Sequence, residues 1–242
     1  KVLCAQRRAM TDSLPPQTPT TRPVRVWDLP TRLFHWLLAA AVIAQIVTAK
    51  IGGNAMIWHF RIGFCVFALI GFRLIWGFIG GRWSRFSSFF YTPATVLRYL
   101  RGDHRPGDHF HVGHNPLGGG SVFAMLALLT VQIASGLVAD DEIANVGPLN
   151  KFVSGALATS ATAWHKGPGQ AILITLVVLH IAAIIFYRVR RNQNLVQPMV
   201  SGDKALPGDV PASEDTRFSR VRALALIAIW AGIVASVVKL GG

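Results

Sequence analysis

Residues 169–187 read GQAILITLVVLHIAAIIFY, and that stretch decides the fold. It is apolar nearly all round and close to the ~20 residues that a bilayer-crossing helix needs. One imidazole, His180, interrupts it. A titratable ring at membrane depth is costly and marks a functional position by default. Four more runs of this kind occur, at about 29–49, 55–79, 121–139 and 221–240. Asp28 is placed to cap the first, and Pro30 is tolerated in a first helical turn. The third follows Gly118-Gly119-Gly120, read here as loop. No β-barrel alternation is visible. The expected fold is an all-α integral membrane protein: a four-helix transmembrane bundle with a fifth, C-terminal transmembrane helix.

Composition agrees. Of 242 residues, 52% are hydrophobic and 14% charged, where soluble domains carry about 25% charged residues. The net charge of +13 could suggest nucleic acid, but the basic residues lie between apolar runs, so no nucleic-acid partner is expected and the lipid bilayer is. The two cysteines, Cys4 and Cys65, form no CxxC or CxxCH motif, so neither a disulfide framework nor covalent haem attachment follows. No signal-type apolar core precedes Pro15, and Met10 reads as a natural start, with residues 1–9 preceding it.

Lysine and arginine set the orientation. With the amino terminus inside, segments 1–32, 80–120 and 188–222 hold 18 Lys and Arg, against four outside: Lys50, Lys151, Lys166 and Lys239. Positive charge favours the cytoplasmic side. The expectation is a multi-pass membrane protein, amino terminus cytoplasmic and carboxyl terminus outside. The chain divides into a cytoplasmic tail over 1–25, the four-helix core over 26–190, a linker over 191–220 rich in Pro, Gly, Asp and Ser that reads as flexible, and the fifth helix over 221–242. The tryptophans sit mostly near run ends and read as interfacial anchors.

Depth then sorts the histidines. His35 lies near the inner end of the first helix and His180 on the inner half of the fourth; His59 and His165 lie at outer ends. Antiparallel packing pairs His35 with His180 and His59 with His165. The fifteen-residue separation of His165 and His180 spans roughly 22 Å at 1.5 Å per residue. Two bis-histidine pairs at that spacing suit two stacked haems b. Two imidazoles fill the axial positions of haem iron, which favours electron transfer over oxygen binding. The bland reading of any one such histidine is an interfacial hydrogen-bonding residue; the matched depths carry the haem reading.

Neighbouring residues fit the same picture. Gly63, one turn after His59, lets a porphyrin approach or serves ordinary small-residue packing. Arg73, at the inner level, pairs with a haem propionate or snorkels to the inner face; Arg61 stands in the same role at the outer level. His104, His109, His111 and His114 share an inner loop whose spacing matches no standard zinc pattern. His114 is placed for a hydrogen bond to a quinone headgroup or a propionate. The outer loop carries Asp140-Asp141-Glu142, either solvated or steering a basic redox partner.

The stretch Val26-Trp27-Asp28-Leu29-Pro30-Thr31-Arg32-Leu33-Phe34-His35-Trp36 resembles the opening of bacterial cytochrome b561 proteins and of hydrogenase-type b cytochrome subunits. Trp58-His59-Phe60-Arg61-Ile62-Gly63, Phe72-Arg73-Leu74-Ile75-Trp76-Gly77 and the Gly-His-Asn-Pro-Leu-Gly segment at 113–118 are similar too. Over about 24–190, the resemblance implies a four-helix dihaem b-type cytochrome with axial ligands at His35, His59, His165 and His180. It would place the chain in a bacterial inner (cytoplasmic) membrane, carboxyl terminus periplasmic, and have it work between membrane quinone and a redox carrier such as a periplasmic c-type cytochrome. The family also contains anchors of larger redox complexes such as hydrogenases, and superoxide:quinone oxidoreductases; a non-redox scaffold or transporter is the remaining alternative. The chain departs from the family after His165, where Lys166-Gly167-Pro168-Gly169 interrupts an otherwise continuous helix. Pro168 predicts a kink there.

Overall fold

The structure is a computed structural model and describes residues 21–241 apart from 104, 106, 144 and 208. The expected start at Met10 and most of the amino-terminal tail lie outside the described residues, as does His104. In chain order the elements are β1 (Thr21–Arg25), α1 (Leu29–Ile51), α2 (Met56–Ile79), α3 (Pro93–Leu100), α4 (Pro116–Val138), α5 (Gly155–Lys166), α6 (Pro168–Arg190), α7 (Val196–Ser201), β2 (Asp203–Pro207) and α8 (Arg217–Gly241). Among the described residues, five segments are long and apolar enough to cross a membrane: α1, 53–79, α4, 155–190 and α8. We call the end bearing β1 and β2 inner, and the opposite end outer.

The helix starts follow local chemistry. Asp28 Oδ1 accepts from Thr31 N–H at 2.8 Å and caps α1. The same carboxylate, fully buried, also accepts from Trp76 Nε1, Gly81 N and Ser84 Oγ at 3.2, 3.1 and 2.6 Å. One capping residue thus ties α1 to the end of α2. Helix α4 begins at Pro116, five residues before the sequence reading placed it, because Asn115 Oδ1 caps Gly118 N–H at 2.8 Å. The three glycines belong to the helix. A Cβ at Gly119 would crowd the Phe89 carbonyl at 2.7 Å, so the absence of a side chain serves packing there.

The bundle core joins Phe34 and Val42 of α1, Val66, Ile70, Phe72 and Trp76 of α2, Leu126 and Leu129 of α4, Leu173 of α6 and Ala223 of α8. A Cβ on Gly71 would overlap the Trp230 indole, so α8 lies close against α2. The fifth helix is therefore packed into the bundle rather than appended to a core ending at 190.

The flexible linker expected over 191–220 is a second correction. It folds as α7 and β2, and β2 pairs antiparallel with β1, Thr21 opposite Pro207 and Arg25 opposite Asp203. Val24, Val26, Trp27, Trp83, Val112, Leu206 and Val210 form a small apolar cluster at the inner end. Arg25 bridges Asp203 at 2.7 Å and Asp215 at 2.8 Å, and Arg220 reaches Asp215 at 3.0 Å. Composition suggested mobility, but long-range pairing with residues 21–28 supplies the burial the segment lacks alone. Trp27, Trp76 and Trp83 are buried too, so they pack the interior rather than anchor the interface, whereas Trp36 and Trp58 are exposed.

Candidate functional site

Four helical segments carry the four histidines. His35 sits on α1, His59 on α2, His165 at the end of α5 and His180 on α6. The rings of His35 and His180 face each other with centroids 6.3 Å apart; those of His59 and His165 stand 6.1 Å apart. An imidazole nitrogen ligates a first-row metal at about 2 Å and its ring centre lies about 1 Å further back, so two trans imidazoles on one metal hold their centres about 6 Å apart. Both pairs fit one iron between them. The planes of the outer pair cross at 89° and those of the inner pair at 52°.

The outer pair opens on a cavity of about 800 Å³, lined by residues that include Val42, Gln45, Gly63, Leu129, Gln132 and Gly136. That volume lies within the range of cofactor pockets. Gly63 lines the cavity, and a Cβ there would stand 3.4 Å from the Gln45 amide nitrogen. A Cβ at Gly136 would press the His165 ring at 2.8 Å, so this glycine makes room for the imidazole. His59 Nδ1 lies 3.1 Å from the Gln45 carbonyl and His165 Nδ1 2.9 Å from that of Gln132. A carbonyl only accepts, so each Nδ1 carries the proton and each Nε2 keeps its lone pair. Metal-binding histidines commonly donate their other ring N–H in this way.

Arg61 does not serve this cavity. It is exposed, and its guanidinium lies over the Trp58 ring at 5.2 Å. Lys50 and Lys166 line the cavity instead, with Lys50 Nζ donating to Gln170 Oε1 at 3.1 Å. The outer loop reaches the same opening through Asp141, Ile143 and Asn145.

At the inner level Arg73 is 3% exposed, donates Nη2 to the Ser84 carbonyl at 3.1 Å and stacks on Phe86 at 4.8 Å. Its Nη1 is buried without a hydrogen-bond partner among the described residues, and so are His35 Nδ1 and His114 Nδ1. A buried guanidinium with a free N–H fits a carboxylate such as a haem propionate. The His114 ring packs between Trp27 and Phe89, at 4.8 and 4.6 Å. Burial, followed by the charges of Arg73, His180 and His35, pushes its imidazole down to about 3. It is neutral at physiological pH and keeps one donor and one acceptor. His109 packs on Trp83 and His111 is exposed, so they turn away from the pairs.

The break after His165 is also resolved. Helix α5 ends with Gly167 N–H on the Ala163 carbonyl at 3.0 Å, and Pro168 starts α6 at a position where proline is favoured. The sequence reading missed Gln45, Gln132 and Gly136. Its available signal was a lone glutamine in each of two membrane-length apolar runs.

A family model described as prokaryotic cytochrome b561 matches residues 26–202. A Bradyrhizobium diazoefficiens protein named "Probable Ni/Fe-hydrogenase B-type cytochrome subunit" is 24% identical over 75% of this chain and 85% of its own length. A Cupriavidus necator protein of that name is 28% identical over 73% of this chain and 85% of its own. An Escherichia coli K12 protein named "Probable Ni/Fe-hydrogenase 1 B-type cytochrome subunit" is 22% identical over 73% of this chain and 88% of its own length. No solved structure gives a significant match.

Proposed function

The chain belongs to the prokaryotic cytochrome b561 family, and from that premise we propose a dihaem b-type cytochrome that carries electrons across the bacterial inner membrane between quinone and a periplasmic redox partner. Membership supports the coarser statement plainly: this is a multi-pass bacterial membrane b-type cytochrome of electron transfer. The observation that carries the finer reading is the spacing of both histidine pairs, 6.3 and 6.1 Å between ring centres.

His35 and His180 would hold the inner haem, His59 and His165 the outer. Haem b supplies a one-electron carrier, and the protein sets its potential through ligation, burial and nearby charge. Arg73 would take an inner propionate on Nη1. Lys50 and Lys166 would take the outer propionates, the role first expected of Arg61. Neutral His114 would offer a hydrogen bond to a quinone carbonyl or to an inner propionate. The Asp140-Asp141-Glu142 loop would steer a basic partner, such as a c-type cytochrome, towards the outer opening.

Reduction of the purified protein in vesicles by a short-chain quinol, followed through the haem absorbance, tests this reading. Reduction of both haems supports it; a protein that quinol leaves fully oxidised, while dithionite reduces it, contradicts quinone linkage. The names of the relatives favour a second reading, the membrane subunit of a hydrogenase. Stoichiometric co-purification with a periplasmic hydrogenase would select it over a stand-alone carrier.

A further inference from the structure

Gln45 on α1 and Gln132 on α4 hold the two outer histidines by the same double contact. The Gln45 carbonyl accepts from His59 Nδ1 at 3.1 Å, while Gln45 Nε2 donates to the His59 main-chain carbonyl at 2.6 Å. The Gln132 carbonyl accepts from His165 Nδ1 at 2.9 Å, while Gln132 Nε2 donates to the His165 carbonyl at 3.0 Å. Three residues after each glutamine stands a hydroxyl. Thr48 Oγ1 lies 3.4 Å from His59 Nδ1, and Ser135 Oγ lies 3.2 Å from His165 Nδ1. The sequences are Gln45-Ile46-Val47-Thr48 and Gln132-Ile133-Ala134-Ser135, a short repeat on separate helices.

Each element has a physical reason. A glutamine amide in a membrane-length run is costly unless paired. Here its NH2 goes to the carbonyl that fixes the height of the histidine's own backbone, while Gln132 Oε1 is buried without a hydrogen-bond partner among the described residues. Main-chain carbonyls have two lone pairs, so a helical carbonyl can also accept from an imidazole. Together the two bonds fix the tautomer, the ring orientation and the register of the histidine. Among the described residues nothing equivalent surrounds the inner pair, and His35 Nδ1 has no hydrogen-bond partner.

We propose that these two Gln-x-x-Ser/Thr brackets are positioning residues for the outer haem alone, orienting His59 and His165 and raising their basicity. This rests on the dihaem reading. The Nδ1–H acceptors are main-chain carbonyls that Gln45→Met or Gln132→Met keeps, so the side chains act by fixing the histidine's height and ring orientation against them. A ring released from that hold has a weaker Nδ1–H bond, is a weaker base and favours the reduced iron.

The test is redox titration and EPR of the full-length protein carrying Gln45→Met or Gln132→Met, which keep length but cannot donate. The outer haem should bind about 10-fold more weakly, as for other supporting-shell losses. Its midpoint potential should rise and its ferric low-spin EPR signal, which depends on the angle between ring planes, should move. The inner haem should keep both. An outer haem with unchanged potential and EPR signal in both variants overturns the proposal, as does an equal shift of both haems. Should Gln132→Met fail to accumulate, Ser135→Ala and Thr48→Val carry the same readouts with less disturbance. Failure of the dihaem reading looks different, because the unaltered protein would then lack the outer haem.

Discussion

Gly169 stands where the side chain of Gln132 passes: a Cβ there would overlap Gln132 Oε1. The break between α5 and α6 leaves Gln132 in reach of the His165 carbonyl, at 3.0 Å. Gly169→Ala should cost about 1–3 kcal/mol by overpacking, with Tm falling about 2–4 °C per kcal/mol. The outer haem should be lost first on heating. Uniform loss of both haems, followed by absorbance, would speak against this local role.

His180→Ala should abolish the inner haem and leave the outer one. Haem content per chain, from the pyridine haemochrome spectrum, should halve. Loss of both haems, or of neither, contradicts the pairing of His180 with His35.

Replacing His114 by Ala should leave haem content intact, because its ring packs on Trp27 and Phe89 rather than in either facing pair. The inner midpoint potential or the rate of reduction by quinol should change instead. Loss of a haem would show that a ligand has been misassigned.

Gly71→Ala should push α8 away from α2, costing about 1–3 kcal/mol. Trp230→Ala in the same chain should relieve the overlap, so that the double variant loses less than the two single losses added. Thermal unfolding of the four proteins measures this. Strict additivity would mean that the two residues do not meet.

Asp215 makes stability fall in acid. Burial pushes its carboxyl up, but hydrogen bonds from Arg220 and the Leu29 backbone and the charges of Arg220 and Arg25 outweigh this and hold it below its ordinary range. A depressed folded value stabilises above the unfolded pKa of about 3.9 and is lost as pH falls through the folded value. The Tm advantage over Asp215→Asn should therefore be full at pH 6 and shrink below about pH 4. An advantage that stays constant to pH 3 contradicts the ion-pair origin.

Much of the bundle is legible in the sequence because lipid imposes a simple rule. Long apolar runs must be helices, so α1, α2, α4, α6 and α8 are visible from hydropathy. The levels of the histidines follow from counting depth along those runs. What escapes depends on contacts between distant segments. Glycines 118–120 read as loop from propensity, yet Asn115 caps them into α4 and the Phe89 carbonyl needs Gly119 bare. The segment 191–220 looks mobile in isolation, yet its residues 203–207 pair with β1 as β2. Arg61 was assigned by depth alone, which does not give azimuth; its side chain goes to Trp58. Main-chain acceptors such as the carbonyls of Gln45 and Gln132 leave no mark in the sequence, although the glutamines themselves do.

The most direct measurement is haem stoichiometry with a redox titration on the purified, unaltered protein. Two haems b per chain, titrating with two midpoint potentials and with low-spin spectra in both oxidation states, are predicted. One haem per chain, or none, would contradict the placement of two irons between His35 and His180 and between His59 and His165.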